Sequence, residues 1–146
     1  LYAALAVHQG EVVGHCAPRH RHQEFLDFLR LLARTYPGQE LHLIVDNLSA
    51  HKHEHVNRWL RRHPRFHLHF TPTHASWLNL VERWFGELTR RRIRRGSSHS
   101  TQELIQAIHD YIQANNENPR PFLWTKKADA IPEKINHCKA IIGTLH

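Results

Sequence analysis

The alternation of apolar and polar positions changes period along this chain, and each change predicts an element. Residues 1–7 and 11–15 are largely apolar runs separated by Gln9 and Gly10, which predicts two short strands joined by a tight turn. From residue 22 the period lengthens. Phe25, Phe28, Leu29 and Leu32 recur at three- and four-residue spacing and predict a helix with one apolar face, closed by Pro37 and Gly38. The run "LHLIV" at 41–45 returns to a strand, and Asp46 follows it directly. A shorter helix is expected over about 53–62, burying Val56, Trp59 and Leu60 and stopping at Pro64. "RFHLHF" then alternates as a strand as far as Phe70, with Pro72 ending it.

The longest helix is predicted to start near Ser76. Trp77, Leu80, Val81, Trp84 and Leu88 form its apolar stripe, and Gly96 is a plausible stop. Ser100 and Glu103 have capping-box spacing and open another helix, with Leu104, Ile108, Tyr111 and Ile112 inward. The segment "NNENPRP" breaks it, and residues 122–146 are weakly patterned, expected to be partly helical and loosely packed. No internal repeat or linker divides the chain. A hairpin followed by helix, strand, helix, strand, helix is a mixed α/β order, with helices covering a sheet. An apolar strand between two helical segments is expected to be buried on both faces. Functional groups in open α/β sheets gather beyond the carboxyl ends of such strands, which is where Asp46 stands.

Composition bounds the rest. A chain of 146 residues, 40% hydrophobic and 23% charged, is one globular domain's worth. No apolar run approaches the ~20 residues of a membrane span, and no secretory signal opens the chain. Cys16 and Cys138 have neither disulfide-framework nor CxxC spacing, so a reducing cytoplasmic setting is expected. The net charge is +7, with arginine concentrated in "RRHPR" at 61–65 and "RRRIRR" at 90–95. The second run has no acid interleaved, and it reads as a footprint for a polyanion rather than a solvated helix face. The sequence contains no methionine and opens in mid-pattern, so a piece of a longer chain is expected.

An ionised carboxylate at the edge of a core must be paired, hydrogen-bonded or metal-bound, because stripping its water is costly. Asp46 either caps the turn that follows or serves as a ligand, and both readings stand for the residue alone. Glu82 borders the apolar stripe of the long helix together with Leu78, Asn79 and Phe85, and Asn79 lies three residues before it. An exposed Glu82 would contribute little through ion pairs. A strand-end Asp facing a helix Glu, each with an Asn beside it, instead suits a hard cation such as Mg²⁺.

The stretches "LHLIVDNLSAHKHEHV", "HPRFHLHFTPTHASWLNLVERWFGELTRRRIRRGSSHS" and "PFLWT" together resemble the bacterial insertion-sequence branch of the mariner-like DDE transposases. The resemblance covers residues 1–134, with 135–146 as a tail. It implies an RNase H-like fold, a mixed sheet flanked by helices. It also implies that Asp46, in the "DN" motif, and Glu82, in the "LN…E" helix, are catalytic residues and metal ligands. Asn47, His51 and Asn79 match motif positions and take supporting roles. The implied cofactor is Mg²⁺ or Mn²⁺, held by three carboxylates as a pair of ions ~3.5–4 Å apart for in-line phosphodiester displacement. The implied partner is DNA, as transposon ends and target, with Arg90, Arg91, Arg92, Arg94 and Arg95 on its phosphates and a homodimer in the full-length protein. The setting is the bacterial cytoplasm, with no membrane.

The family's first Asp belongs on a central strand ahead of the hairpin, and its DNA-reading helix-turn-helix lies earlier still. Nothing from Leu1 to Gly10 substitutes for that Asp. The sheet is therefore expected to lack its first, central strand, and the chain to be inactive alone and marginally folded. Three rival readings remain. A non-catalytic basic remnant would bind nucleic acid without metal. A zinc protein would use some of the 16 histidines, although no CxxC or HExxH accompanies them. A cellular RNase H-like nuclease would share the ligands but leave "FTPTHASWLN" unexplained.

Overall fold

The hairpin forms where the apolar runs place it. Strands β1 (Tyr2–Ala6) and β2 (Glu11–His15) pair antiparallel, Tyr2 opposite His15 and Ala6 opposite Glu11. Gly10 supplies the left-handed residue of the turn, with φ 76°, and a Cβ there would lie 2.1 Å from the Arg120 carbonyl oxygen. The computed structural model describes residues 1–72, 80–93 and 100–121.

Helix α1 (His22–Thr35) buries Phe25, Leu26, Phe28, Leu29 and Leu32, the predicted face with Leu26 added. Its first turn is closed by Glu24, which accepts from the Arg21 amide at 3.1 Å and from the Arg21 guanidinium at 2.8 Å. Its last turn is closed from a distance. The Arg65 guanidinium donates to the carbonyls of Ala33, Tyr36 and Gln39 at 2.7–2.9 Å and lies over the Phe66 ring. Arg65 is thus a structural member of the "RRHPR" run, while Arg61 and Arg62 remain exposed.

Strand β3 (Leu41–Val45) pairs parallel with β4 (Phe66–Phe70), Leu41 opposite Phe66 and Val45 opposite Phe70. Between them a 3₁₀ turn over Ser49–Lys52 leads into α2 (Glu54–Arg62), where the Nδ1 of His53 caps by accepting from the His55 amide. Helix α3 (Leu80–Leu88) continues into a π-helical turn over Thr89–Ile93, and α4 (Thr101–Glu117) starts at Ser100, whose Oγ accepts from the Glu103 amide at 3.2 Å. The predicted start of the long helix at Ser76, its stop at Gly96 and the expected character of residues 122–146 lie outside the described residues.

Two apolar clusters hold these elements. One joins the α1 face to Tyr2, Val56 and Phe66, with Leu41, Leu43, Val45 and Leu68 packed against it. The other lies across the hairpin and joins Val12 to Trp84, Leu88, Ile108 and Ile112, with Ala3, Leu5 and Phe85 against them. The hairpin is therefore covered on both faces. Strand β3 is not: His42 and Ile44 point away from α1, and Ile44 is 52% exposed. The expected two-sided burial of "LHLIV" is not met, since among the described residues the side chains beside Ile44 on that face are His42, His67 and His69 rather than a packed helix. The result is a mixed α/β arrangement of two small sheets and four helices among the described residues, compatible with an RNase H-like domain.

Candidate active site

Asp46 leaves the carboxyl end of β3, and the chain turns sharply at once. The 3₁₀ turn brings His51 back over five residues, so that its Nδ1 lies 3.0 Å from an Asp46 carboxylate oxygen and 3.2 Å from the Asp46 carbonyl. Both oxygens only accept, so Nδ1 carries the proton and Nε2 faces the other way. His51 is 8% exposed, and its ring rests on Phe25 of α1 at 4.2 Å between centroids. Packing fixes the imidazole, and the imidazole fixes the carboxylate, which keeps a side-chain exposure of 32%.

Glu82 stands in the first turn of α3. Asp46 and Glu82 line one cavity of about 360 Å³, together with His51, Tyr2 and Phe85. Burial and then the Asp46 charge push the Glu82 carboxyl up from its ordinary range. The Asp46 charge is the lesser of these two causes, and a divalent cation between the two acids would offset it. Burial first, then Glu24 and Asp46, likewise raise the Tyr2 hydroxyl, and Tyr2 of β1 lines the same cavity as Asp46. Hard oxygen donors at a cavity rim suit Mg²⁺ or Mn²⁺. They form a partial set, because among the described residues no group of three or more His, Cys, Asp or Glu is arranged to hold a metal ion.

Other predicted site residues divide. Asn47 is exposed beside Asp46. Asn79, Arg94 and Arg95 lie outside the described residues, as does the side chain of Arg92. Arg90 and Arg91 both reach back to Glu87, Arg91 at 2.9 Å, and stay more than 60% exposed. An acid one turn earlier therefore engages a run that looked unpaired, and Arg90 foremost holds the Glu87 carboxyl below its usual range. The histidines gather, His22 and His53 stacking at 3.7 Å with His55 adjoining, but among the described residues no group of three or more is arranged to hold a metal ion. Sequence reasoning missed Tyr2 and Phe25. Their signal was the apolar pattern itself, which gives no hint of which core residues meet a carboxylate.

No helix among the described residues is long and apolar enough to cross a membrane. The chain is 28% identical over 138 residues to the insertion element IS630 uncharacterized 39 kDa protein of Shigella sonnei, an alignment covering 92% of this chain and 34% of that protein. The chain thus spans about a third of the length of this curated relative. No solved structure matched it. The model of the DDE superfamily endonucleases matches residues 1–105, a stretch that holds both Asp46 and Glu82. The chain belongs to the DDE superfamily endonuclease family.

Proposed function

We propose that this chain is the C-terminal part of a DDE transposase catalytic domain, acting in a longer enzyme on DNA ends and target. The observation that carries the reading is that Asp46 and Glu82 line one cavity, where burial first and then the Asp46 charge raise the Glu82 carboxyl. In this reading Asp46 and Glu82 hold divalent cations, and a third carboxylate comes from a strand outside the described residues that completes an RNase H-like sheet between the hairpin and β3. Residues 1–134 constitute the domain portion and 135–146 a tail.

Bound Mg²⁺ or Mn²⁺ supplies Lewis acidity and neutralises charge on a phosphodiester oxygen. The chain's own residues do the positioning. His51 fixes the rotamer of Asp46, a task its packing against Phe25 makes rigid. Burial keeps Glu82 partly desolvated, so that it binds a cation more readily than a fully hydrated carboxylate does. Arg90 and Arg91, exposed and paired with Glu87 one turn beyond the α3 core, contact phosphates in this reading, with Arg92, Arg94 and Arg95 following in sequence. Asn47, adjacent to Asp46 in sequence, and Asn79, three residues before Glu82 in sequence, take supporting roles.

With two site carboxylates among the described residues, the 146-residue chain is expected to be inactive by itself. Supercoiled plasmid incubated with it and Mg²⁺ stays intact, whereas a longer polypeptide carrying the third carboxylate nicks the plasmid, and its Asp46→Asn and Glu82→Gln forms do not. Nicking by the 146-residue chain, or by both variants, overturns the proposal. A second reading, binding of DNA without catalysis, draws on the incomplete ligand set. It requires Asp46→Ala and Glu82→Ala to leave DNA affinity unchanged in both the presence and absence of Mg²⁺.

A further inference from the structure

Three imidazoles share the outward face of the β3–β4 pair. His42 and His67 are register partners on the two parallel strands, His69 alternates with His67, and all three side chains are exposed. Their rings lie close together. His42 is 4.6 Å from His67 and 5.3 Å from His69 between centroids, with ring planes 17° and 18° apart. A histidine on a solvated face ordinarily gives its nitrogens to water, but here two rings point nitrogens at each other: His42 Nδ1 lies 3.0 Å from His69 Nε2. The third ring is held otherwise, its His67 Nε2 donating to a Glu40 carboxylate oxygen at 2.7 Å. The histidines of the other group are committed differently, since His53 Nδ1 already accepts from the His55 amide as the cap of α2.

Two ring nitrogens so placed hold either one proton between them or one cation. A tetrahedral ion with bonds of about 2.0–2.1 Å to imidazole sets its nitrogens about 3.3 Å apart, so the pair has to open by only about 0.3 Å. We propose that His42 and His69 form a site for a divalent transition ion that favours imidazole, of the Zn²⁺ class, bound through His42 Nδ1 and His69 Nε2 with solvent in its other positions. The ion takes the place of the shared proton, and the ring that held this proton carries it on its other nitrogen instead. Two protein donors agree with the finding that no described group of three or more is arranged to hold a metal ion. His42 also lines the cavity of Asp46 and Glu82, yet it stands four residues before Asp46 along the strand, roughly 13 Å at the usual rise. Donor type separates the two sites further, because Mg²⁺ favours oxygen and Zn²⁺ takes nitrogen. One donor comes from each strand, so the ion ties β3, the strand that leads to Asp46, to its partner β4. The site stands on the histidine geometry and does not rest on the proposed function.

The test is a titration of the whole chain with Zn²⁺ in excess Mg²⁺, which occupies oxygen-donor sites and keeps the result independent of Asp46 and Glu82. The ring-proton resonances of His42 and His69 are expected to shift together and to saturate at one equivalent, while those of His22 and His55 stay in place. His42→Gln and His69→Gln are each expected to weaken Zn²⁺ binding at least tenfold, and His22→Gln to leave it unchanged. Both substituted side chains are exposed, and the resonance shifts of the wild-type chain read the site without any substitution. The thermal midpoint is expected to rise with Zn²⁺ concentration, as for any ligand bound by the folded form alone, and to stop rising in the double variant. Unchanged affinity in either single variant, equal weakening by His22→Gln, shifts at His22 and His55 in place of His42 and His69, or a midpoint that still rises in the double variant overturns the proposal.

Discussion

His51 returns across a 3₁₀ turn to set its Nδ1 3.0 Å from the Asp46 carboxylate while its ring rests on Phe25. An imidazole so held orients the carboxylate with which Asp46 would meet a cation in the proposed function. His51→Ala is therefore expected to weaken Mn²⁺ binding by about 10–100-fold, the usual effect of removing a residue that orients a ligand. His51→Asn, which keeps an N–H donor, is expected to recover part of that loss. Titration followed by water proton relaxation checks both; an unchanged affinity for the Ala form removes His51 from the site.

Arginines that look alike in sequence are expected to separate on DNA. Arg65 bonds three carbonyls at the end of α1, so Arg65→Lys, which cannot reproduce the fork, costs about 1–3 kcal/mol of stability and leaves the salt slope of DNA binding unaltered. Arg91→Ala changes stability little, because its pair with Glu87 is exposed, and lowers the salt slope by about 0.9. Urea melts and binding isotherms at several salt concentrations distinguish the two.

Acid is expected to loosen the first turn of α1. Arg21 holds the Glu24 carboxyl down from 4.5 to about 2, so the folded state gives up its proton more readily than the unfolded chain. The stability this contributes is complete above pH 4.5 and is lost as pH falls from there toward 2. Glu24→Gln is expected to flatten that part of the pH profile of the urea midpoint. His22 acts at higher pH. Burial first, then His53 and His55, lower its pKa, so its stabilising share is complete above 6.5 and declines as pH drops through that value. His22→Phe is expected to remove the decline.

The second core cluster makes a volume prediction. The Trp84 indole N–H is buried without a hydrogen-bond partner among the described residues, and so Trp84→Phe forfeits no polar contact with them. It is expected to cost under about 1.5 kcal/mol, against about 3–5 kcal/mol for Trp84→Ala. Thermal melts of the two variants provide the check, and equal losses would show that the N–H matters.

Periodicity made the hairpin, α1, β3, α2, β4 and α4 legible, because each turns one apolar face to a neighbour and spacing records that face directly. The Ser100 cap was legible for a different reason, since its residues are local. What the pattern could not carry was contact across the chain. Arg65 reads as one charge among five residues, though its partners lie about 30 positions earlier in α1 and the loop after it. The 3₁₀ turn that buries His51 has no periodicity to detect, and Ile44 reads as core although β3 turns it outward. For the candidate site, the strand-end position of Asp46 was visible in sequence. Its meeting with Glu82 at one cavity depends on how α3 crosses β1, which residue spacing does not encode.

The central claim is that Asp46 and Glu82 share a cation. Mn²⁺ binding to the wild-type chain, Asp46→Asn, Glu82→Gln and the double variant tests it most directly. The account predicts that each single change weakens binding at least tenfold and that the double change weakens it scarcely further, the non-additivity expected of two ligands to one ion. Losses that multiply in the double variant, or affinity that survives either single change, would contradict it.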